Sequence, residues 1–356
     1  MTEIVCAACD AVLSAPLSQV ALPGHAHQTW GNGVLLPVLM EPGTYAVEPE
    51  PYGPPWRTWS DVGEEEAAAR GVFAPVHALS YGDRGAIVVA PGDTRGTVLI
   101  PERCGGYCCG LDGGDGPNLA CEQCGRAVAT RVDDCSLWQA VWFAPHAVRR
   151  LGDDAPAGRD LGWEVLARPG WGAPPVDLSG VWSRRWEAVV GAGLAHLVAA
   201  SGGTPVTVPD GLLAITFGRV LGALLPPGGP VKRAALAGPG LHAAGPAPDI
   251  ALVPRHPRTG EPWRTASSPV AVALDAEVWA YLALGFRDER FRAPATGGLP
   301  EGVLRDDPLP LRPAGHFWPD PWVFIRTLAR LPAVRQPWLR SIYDRVTDRP
   351  FGWPGL

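Results

Sequence analysis

Apolar and polar positions follow different periods in different parts of the chain. From Ser183 onward, Trp186, Val189, Val190, Gly193, Leu194, Leu197 and Val198 recur at i, i+3, i+4 and i+7, the stripe of an amphipathic helix. Ser201-Gly202-Gly203 stops it. Thr204–Val208 reads as a short strand, and Asp210 as the N-cap of a helix to Leu225, closed by Pro226-Pro227-Gly228-Gly229. Strand candidates follow at Val231–Ala237, Asp249–Val253 and Pro269–Leu274, then a helix over 276–284 with Asp275 as its cap. Helix, strand, helix, three strands and a helix predict an α/β unit. In the tail, Asp320-Pro321 places an N-cap before a proline at the first helical position and opens a helix to Leu331. Pro332 ends it, and Pro337 opens another through Val346.

Earlier in the chain the helical period is missing. Residues 15–102 read mostly as β, with short apolar runs at Val34–Met40, Gly71–Leu79, Ala86–Ala90 and Thr97–Ile100 between turn signals such as Gly31-Asn32-Gly33 and Pro91-Gly92-Asp93. One short helix is expected over Glu64–Arg70, with Glu64-Glu65-Glu66 as its solvated start. Residues 151–160, LGDDAPAGRD, have the composition of a linker, and 161–181 are rich in Trp, Gly and Pro. The expected fold is therefore mixed α+β and α/β. Residues 1–150 would form one unit with an inserted β domain, 151–181 a linker segment, and 182–356 an α/β domain with a helical C-terminal tail.

Charge sharpens this division. Residues 1–181 carry 11 Arg against 22 Asp and Glu, net −11, whereas 182–356 carry net +5. The acidic first part weakens any reading as a nucleic-acid binder, and +5 without a dense basic run does not restore it. Lys232 is the sole lysine, and the 44 Gly and 40 Pro suggest high-GC coding bias, so single Gly and Pro residues carry little weight. No window approaches eighteen uninterrupted apolar residues, which argues against a membrane span. The opening residues carry Glu3 and Asp10 and no basic run, unlike a signal peptide. A cytoplasmic protein is expected. In that setting eight cysteines point to metal ligands or buried thiols, and no disulfides.

The cysteines carry the strongest chemical signal. Cys6-Ala7-Ala8-Cys9 follows the apolar pair Ile4-Val5 and precedes a returning stretch, Asp10–Ser14. Cys121-Glu122-Gln123-Cys124 is followed by Gly125, which permits a left-handed turn. Such a turn lets two thiolates reach one zinc ion at about 2.3 Å, and two turns complete a tetrahedron. Both turns resemble zinc-ribbon knuckles, more weakly at Asp10, where ribbons usually carry Gly. The resemblance covers about a dozen residues at each end of a long insert, and it implies a structural zinc on Cys6, Cys9, Cys121 and Cys124 and makes residues 1–150 a zinc-ribbon unit with an inserted β domain. A competing set, Cys109, Cys121, Cys124 and Cys135, stays open at this stage, as does a second site using Cys104, Cys108, Cys109 and Cys135. The phrase CCGLDGGDGPNLACEQCGRAVATRVDDC also resembles a segment of proteins from high-GC bacteria, which implies metal binding and nothing more specific.

Other candidates are weaker. Gly110–Asn118 lacks the Gly-Lys-Ser/Thr of a phosphate loop and the ligand spacing of a calcium loop, and reads as a tight turn. No GxSxG, HExxH or dinucleotide fingerprint is present. His25-Ala26-His27 is a weak metal signal, and histidines at i, i+2 read more readily as a solvent-exposed pair. Arg255, His256 and Arg258 follow a predicted strand of the α/β unit, where open sheets bind ligands, and could hold a phosphate or carboxylate. Two functions are thus expected to compete. One is a binding or scaffold protein with structural zinc and an unknown protein partner. The other is an enzyme or ligand-binding domain in 182–356 that acts on an anionic small molecule or nucleotide.

Overall fold

The computed structural model describes residues 1–29, 36–106, 110–152, 162–163, 176, 181–241, 246–265, 270–285, 316–349 and 353. The fold is mixed α/β with several sheets. Its contacts fall into two units, residues 1–160 with 258–260, and residues 161–257 with 261–356. Among the described residues no helix is long and apolar enough to cross a membrane.

The first unit is mostly β. Its strands are β1 Glu3–Cys6, β2 Ser18–Gln19, β3 Thr44–Val47, β4 Trp56–Thr58, β5 Ala78–Ser80, β6 Ile87–Val89, β7 Thr97–Leu99, β8 Leu119–Cys121, β9 Ala127–Val132, β10 Ala140–Phe143 and β11 Val148–Leu151. Two short helices, α1 Trp59–Val62 and α2 Glu64–Ala69, lie between β4 and β5. One sheet runs β2-β3-β6-β10-β9-β8-β7, antiparallel except for the parallel β2–β3 edge. Alternation sorts its side chains between two faces. Ile87, Val89, Val141 and Phe143 pack into one apolar cluster with Ile4, Leu13, Cys6 and Cys121. Val88, Ala140 and Trp142 pack into another with Leu36, Met40 and Trp138. The sheet is thus buried on both sides.

Several expected strands are shorter or absent. Over 34–40 the described residues form only an isolated bridge, Val38 with Gln139. Pro37 has no N–H to continue a ladder, and Leu36, Leu39 and Met40 bury their side chains without strand pairing. Within Gly71–Leu79 only the end is strand, beyond Pro75. The returning stretch after Cys9 makes one bridge, Val5 with Val12. The main partner of β1 is instead β11, antiparallel with Glu3 opposite Leu151 and Cys6 opposite Val148. Of the expected linker, Leu151 closes β11 and residues 153–160 lie outside the described residues.

The second unit follows the predicted order of elements. Helix α3 Arg184–Ser201 is followed by β12 Val206–Thr207, a helical stretch ending in α4 Arg219–Leu224, then β13 Lys232–Leu236, β14 Ile250–Arg255, β15 Val270–Asp275 and α5 Ala276–Leu284. The strands pair in sequence order and all in parallel. Within the helix expected over 210–225, Ala214–Gly218 widens into a π-turn. There the buried Thr216 hydroxyl bonds back to the Leu212 carbonyl at 2.8 Å and lies 2.9 Å from His316 Nε2. The tail holds α6 Pro321–Ala329 and α7 Pro337–Thr347. Asp320 caps α6, its carboxylate accepting from the amides of Trp322 and Val323. Asp275 sits at the N-cap of α5 but makes no capping bond. Its carboxylate lies 4.0 Å from Arg255 Nε instead.

Candidate metal centre

The two CxxC turns adopt the same local geometry from different sequences. In the first, the Cys6 amide donates to Ala11 O at 2.8 Å and the Asp10 amide donates to Cys6 O at 3.0 Å. In the second, the Cys121 amide donates to Arg126 O at 2.8 Å and the Gly125 amide to Cys121 O at 2.8 Å. The fourth residue after the leading cysteine is left-handed in both, with φ of 60° at Asp10 and 73° at Gly125. Asp10 therefore fills the place of the glycine; aspartate tolerates this region better than most residues. Its carboxylate also pairs with Arg149 on β11.

Each turn hangs from the end of a strand, β1 or β8, whose leading cysteine is buried in the core. Cys6 and Cys121 are buried, Cys9 is half-buried and Cys124 is exposed. Four sulfurs converge. Cys6 Sγ lies 3.6 Å from Cys124 Sγ, and Cys9 Sγ 3.6 Å from Cys121 Sγ. All four lie within 4.8 Å of one another. A tetrahedral ion with metal–sulfur bonds of about 2.3 Å requires sulfur–sulfur edges of about 3.8 Å, close to the two short edges. The cluster could hold one metal ion.

Proton affinities within the cluster are split. Burial raises the Cys6 thiol, but amide donors from Ala8 and Cys9, with Cys124 and Cys9 sulfurs beside it, outweigh this and bring it down to about 7. At Cys9 the Ala11 amide pulls downward, yet burial and the neighbouring Cys124, Cys121 and Cys6 push the thiol up to about 12. One thiolate forms readily and the next is opposed by like charge, so the protons come off as a coupled set. A divalent cation removes that opposition by binding all four as thiolates.

Of the competing ligand sets, Cys109 and Cys108 lie outside the described residues. Cys135 is not part of the four-sulfur group. Cys104 Sγ sits 3.1 Å from the Ile100 carbonyl. The six described cysteines are thiols, not disulfides. The Gly110–Asn118 turn is structural. Its buried Asn118 side chain donates to Arg131 O at 2.9 Å and accepts from the Arg131 amide at 2.7 Å, filling a gap in the pairing of β9.

The three residues of the expected anion site do not share one unit, because Arg258 groups with the first and Arg255 and His256 with the second. Arg255 ends β14 opposite Asp275. Burial raises the Asp275 carboxyl, against the pull of Arg255 and Arg185. The His256 ring meets Trp163 edge-on at 5.3 Å.

The histidine pair is where the structure departs most from the expectation. His25 is buried, with its ring 4.4 Å from that of Trp138. His27 is half-buried, and its Nε2 lies 2.5 Å from Glu48 Oε2. Nothing local in the sequence signals this, since Glu48 lies at the end of a strand 21 residues on. Comparison of the chain with known protein families, with curated proteins and with solved structures gave no match.

Proposed function

We propose that Cys6, Cys9, Cys121 and Cys124 bind one structural zinc ion, and that the chain is a zinc-stabilised cytoplasmic protein of binding or scaffold type. On this reading the two CxxC turns form a zinc-ribbon-like unit, and the residues between them make up an inserted β domain. The observation that carries it is the convergence of four sulfurs from turns more than a hundred residues apart. Four thiolates leave a zinc ion no open position, so the ion would stabilise the fold and take no part in catalysis. Metal analysis of the purified chain is expected to give about one zinc per chain, and Cys121→Ser to lower it. Full zinc retention in a Cys6→Ser/Cys9→Ser double variant would overturn the ligand set.

A second reading, a ligand-binding or enzymatic α/β domain for an anionic small molecule, is favoured by one observation. Arg255 lies at the carboxyl end of a strand in an all-parallel sheet, the edge where such sheets bind ligands. A thermal-shift screen with phosphorylated metabolites is expected to reveal a salt-sensitive ligand that Arg255→Ala no longer binds. A wild-type chain that no anion stabilises discards this reading.

A further inference from the structure

On the opposite face of the large sheet from the cysteines, a second set of metal-ligating side chains comes together. Glu48 directly follows β3, and its backbone stays in register with the sheet. It donates to Ala86 O at 2.9 Å and accepts from the Gly85 amide at 2.9 Å. This places its carboxylate inside the protein, where the residue is 1% exposed. Oε2 meets His27 Nε2, and Oε1 accepts from the Glu50 amide at 2.9 Å. Glu50 brings a second carboxylate. One ligand atom from each of His27, Glu48 and Glu50 lies within 4.8 Å of the other two. Aromatic rings wall the group. Tyr52 stacks on Trp142 at 4.0 Å, and the His27 ring lies nearly parallel to Trp142 at 6.0 Å.

The charge balance indicates what belongs there. A carboxylate removed from water needs compensation. A divalent ion held by this group would compensate both carboxylates and leave the imidazole neutral.

We propose that His27, Glu48 and Glu50 form a second metal site, one that takes a divalent ion preferring nitrogen and oxygen ligands, such as Mn(II). Metal–ligand bonds of about 2.0–2.2 Å need ligand atoms about 3 Å apart or more, so the His27–Glu48 contact opens slightly as the ion replaces the shared proton. Three protein ligands leave further positions for water or a ligand oxygen, unlike the closed four-thiolate set. The site would therefore exchange ligands where the cysteine cluster cannot.

Mn(II) distinguishes the two sites, because hard nitrogen and oxygen donors suit it and thiolates suit zinc. Mn(II) alone is titrated into the full chain carrying no more than one equivalent of zinc, which the thiolates take in preference to nitrogen and oxygen donors, and followed by loss of the free-ion electron paramagnetic resonance signal. The wild type is expected to bind about one equivalent. Glu48→Gln and Glu50→Gln are each expected to weaken binding at least about tenfold, the range seen when ligand support is lost. Glu50 is only half-buried, so Glu50→Gln keeps the test informative if Glu48→Gln disturbs folding. Failure of the folded wild type to take up Mn(II), or equal affinity in Glu50→Gln, would overturn the site.

Discussion

Asp10 and Gly125 occupy equivalent places in the two cysteine turns, and they show how one backbone requirement is met by two side chains. A Cβ at Gly125 would meet no atom within 4 Å, so a substitution there is penalised through φ alone. The left-handed region costs an ordinary L-residue about 1–2 kcal/mol, and aspartate less because its carboxylate bonds locally. Gly125→Ala is therefore expected to destabilise the zinc-loaded chain by about 1–2 kcal/mol, and Gly125→Asp by less. Denaturant unfolding of both variants checks this: no loss in Gly125→Ala would show that the turn does not need the left-handed residue, and equal losses that aspartate is no better suited to it than alanine. The same pair explains what was legible in the sequence. Cys-x-x-Cys spacing followed by Gly is a local signature, visible without knowing the fold. Asp10 hid its role because aspartate has many uses in a turn. The His27–Glu48 pair was illegible for a different reason, since its partners meet only once the sheet has formed.

At the scale of elements, legibility tracks how much of a segment's stability comes from its own periodicity. Helix α3 buries Trp186, Val189, Val190, Leu194, Leu197 and Val198, the residues that marked its stripe. The parallel strands β14 and β15 are short apolar runs bounded by clear breaks. Segment 34–40 has equally apolar residues, but Pro37 denies it a ladder, and the hydrophobic signal reports burial without strand pairing. Caps divide in the same way. Asp320 accepts from two amides at the start of α6, as its position before Pro321 suggests. Asp275 holds the equivalent position before α5, yet its carboxylate turns toward Arg255, a partner supplied by the neighbouring strand. Helix-start chemistry is therefore readable where no charged residue competes for the capping group, and misread where one does.

For the whole molecule, the proposed zinc ion would tie together two segments of the first unit that lie far apart in sequence. Cys6 ends β1, which pairs with β11, and Cys9 follows it, while Cys121 ends β8 in the large sheet and Cys124 follows that strand. The closed loop is long, yet loop-closure entropy grows only logarithmically with length, so bringing the four sulfurs together costs little more than for a short loop, and the ion's binding free energy adds to that of folding. None of the four ligands belongs to the second unit. Its parallel sheet and helices α3, α6 and α7 bury their own core, including Trp186, Phe324, Leu328 and Tyr343. Removing the metal should therefore loosen one unit selectively. Under chelation, amide hydrogen exchange is expected to rise in β1, β8 and β11, where fixing the sulfurs fixes the strand ends, and to stay unchanged in α3 and β14. Comparable deprotection of α3 and β14 would show that the ion stabilises the chain as one cooperative body, and unchanged exchange in β1 and β8 would remove its structural role.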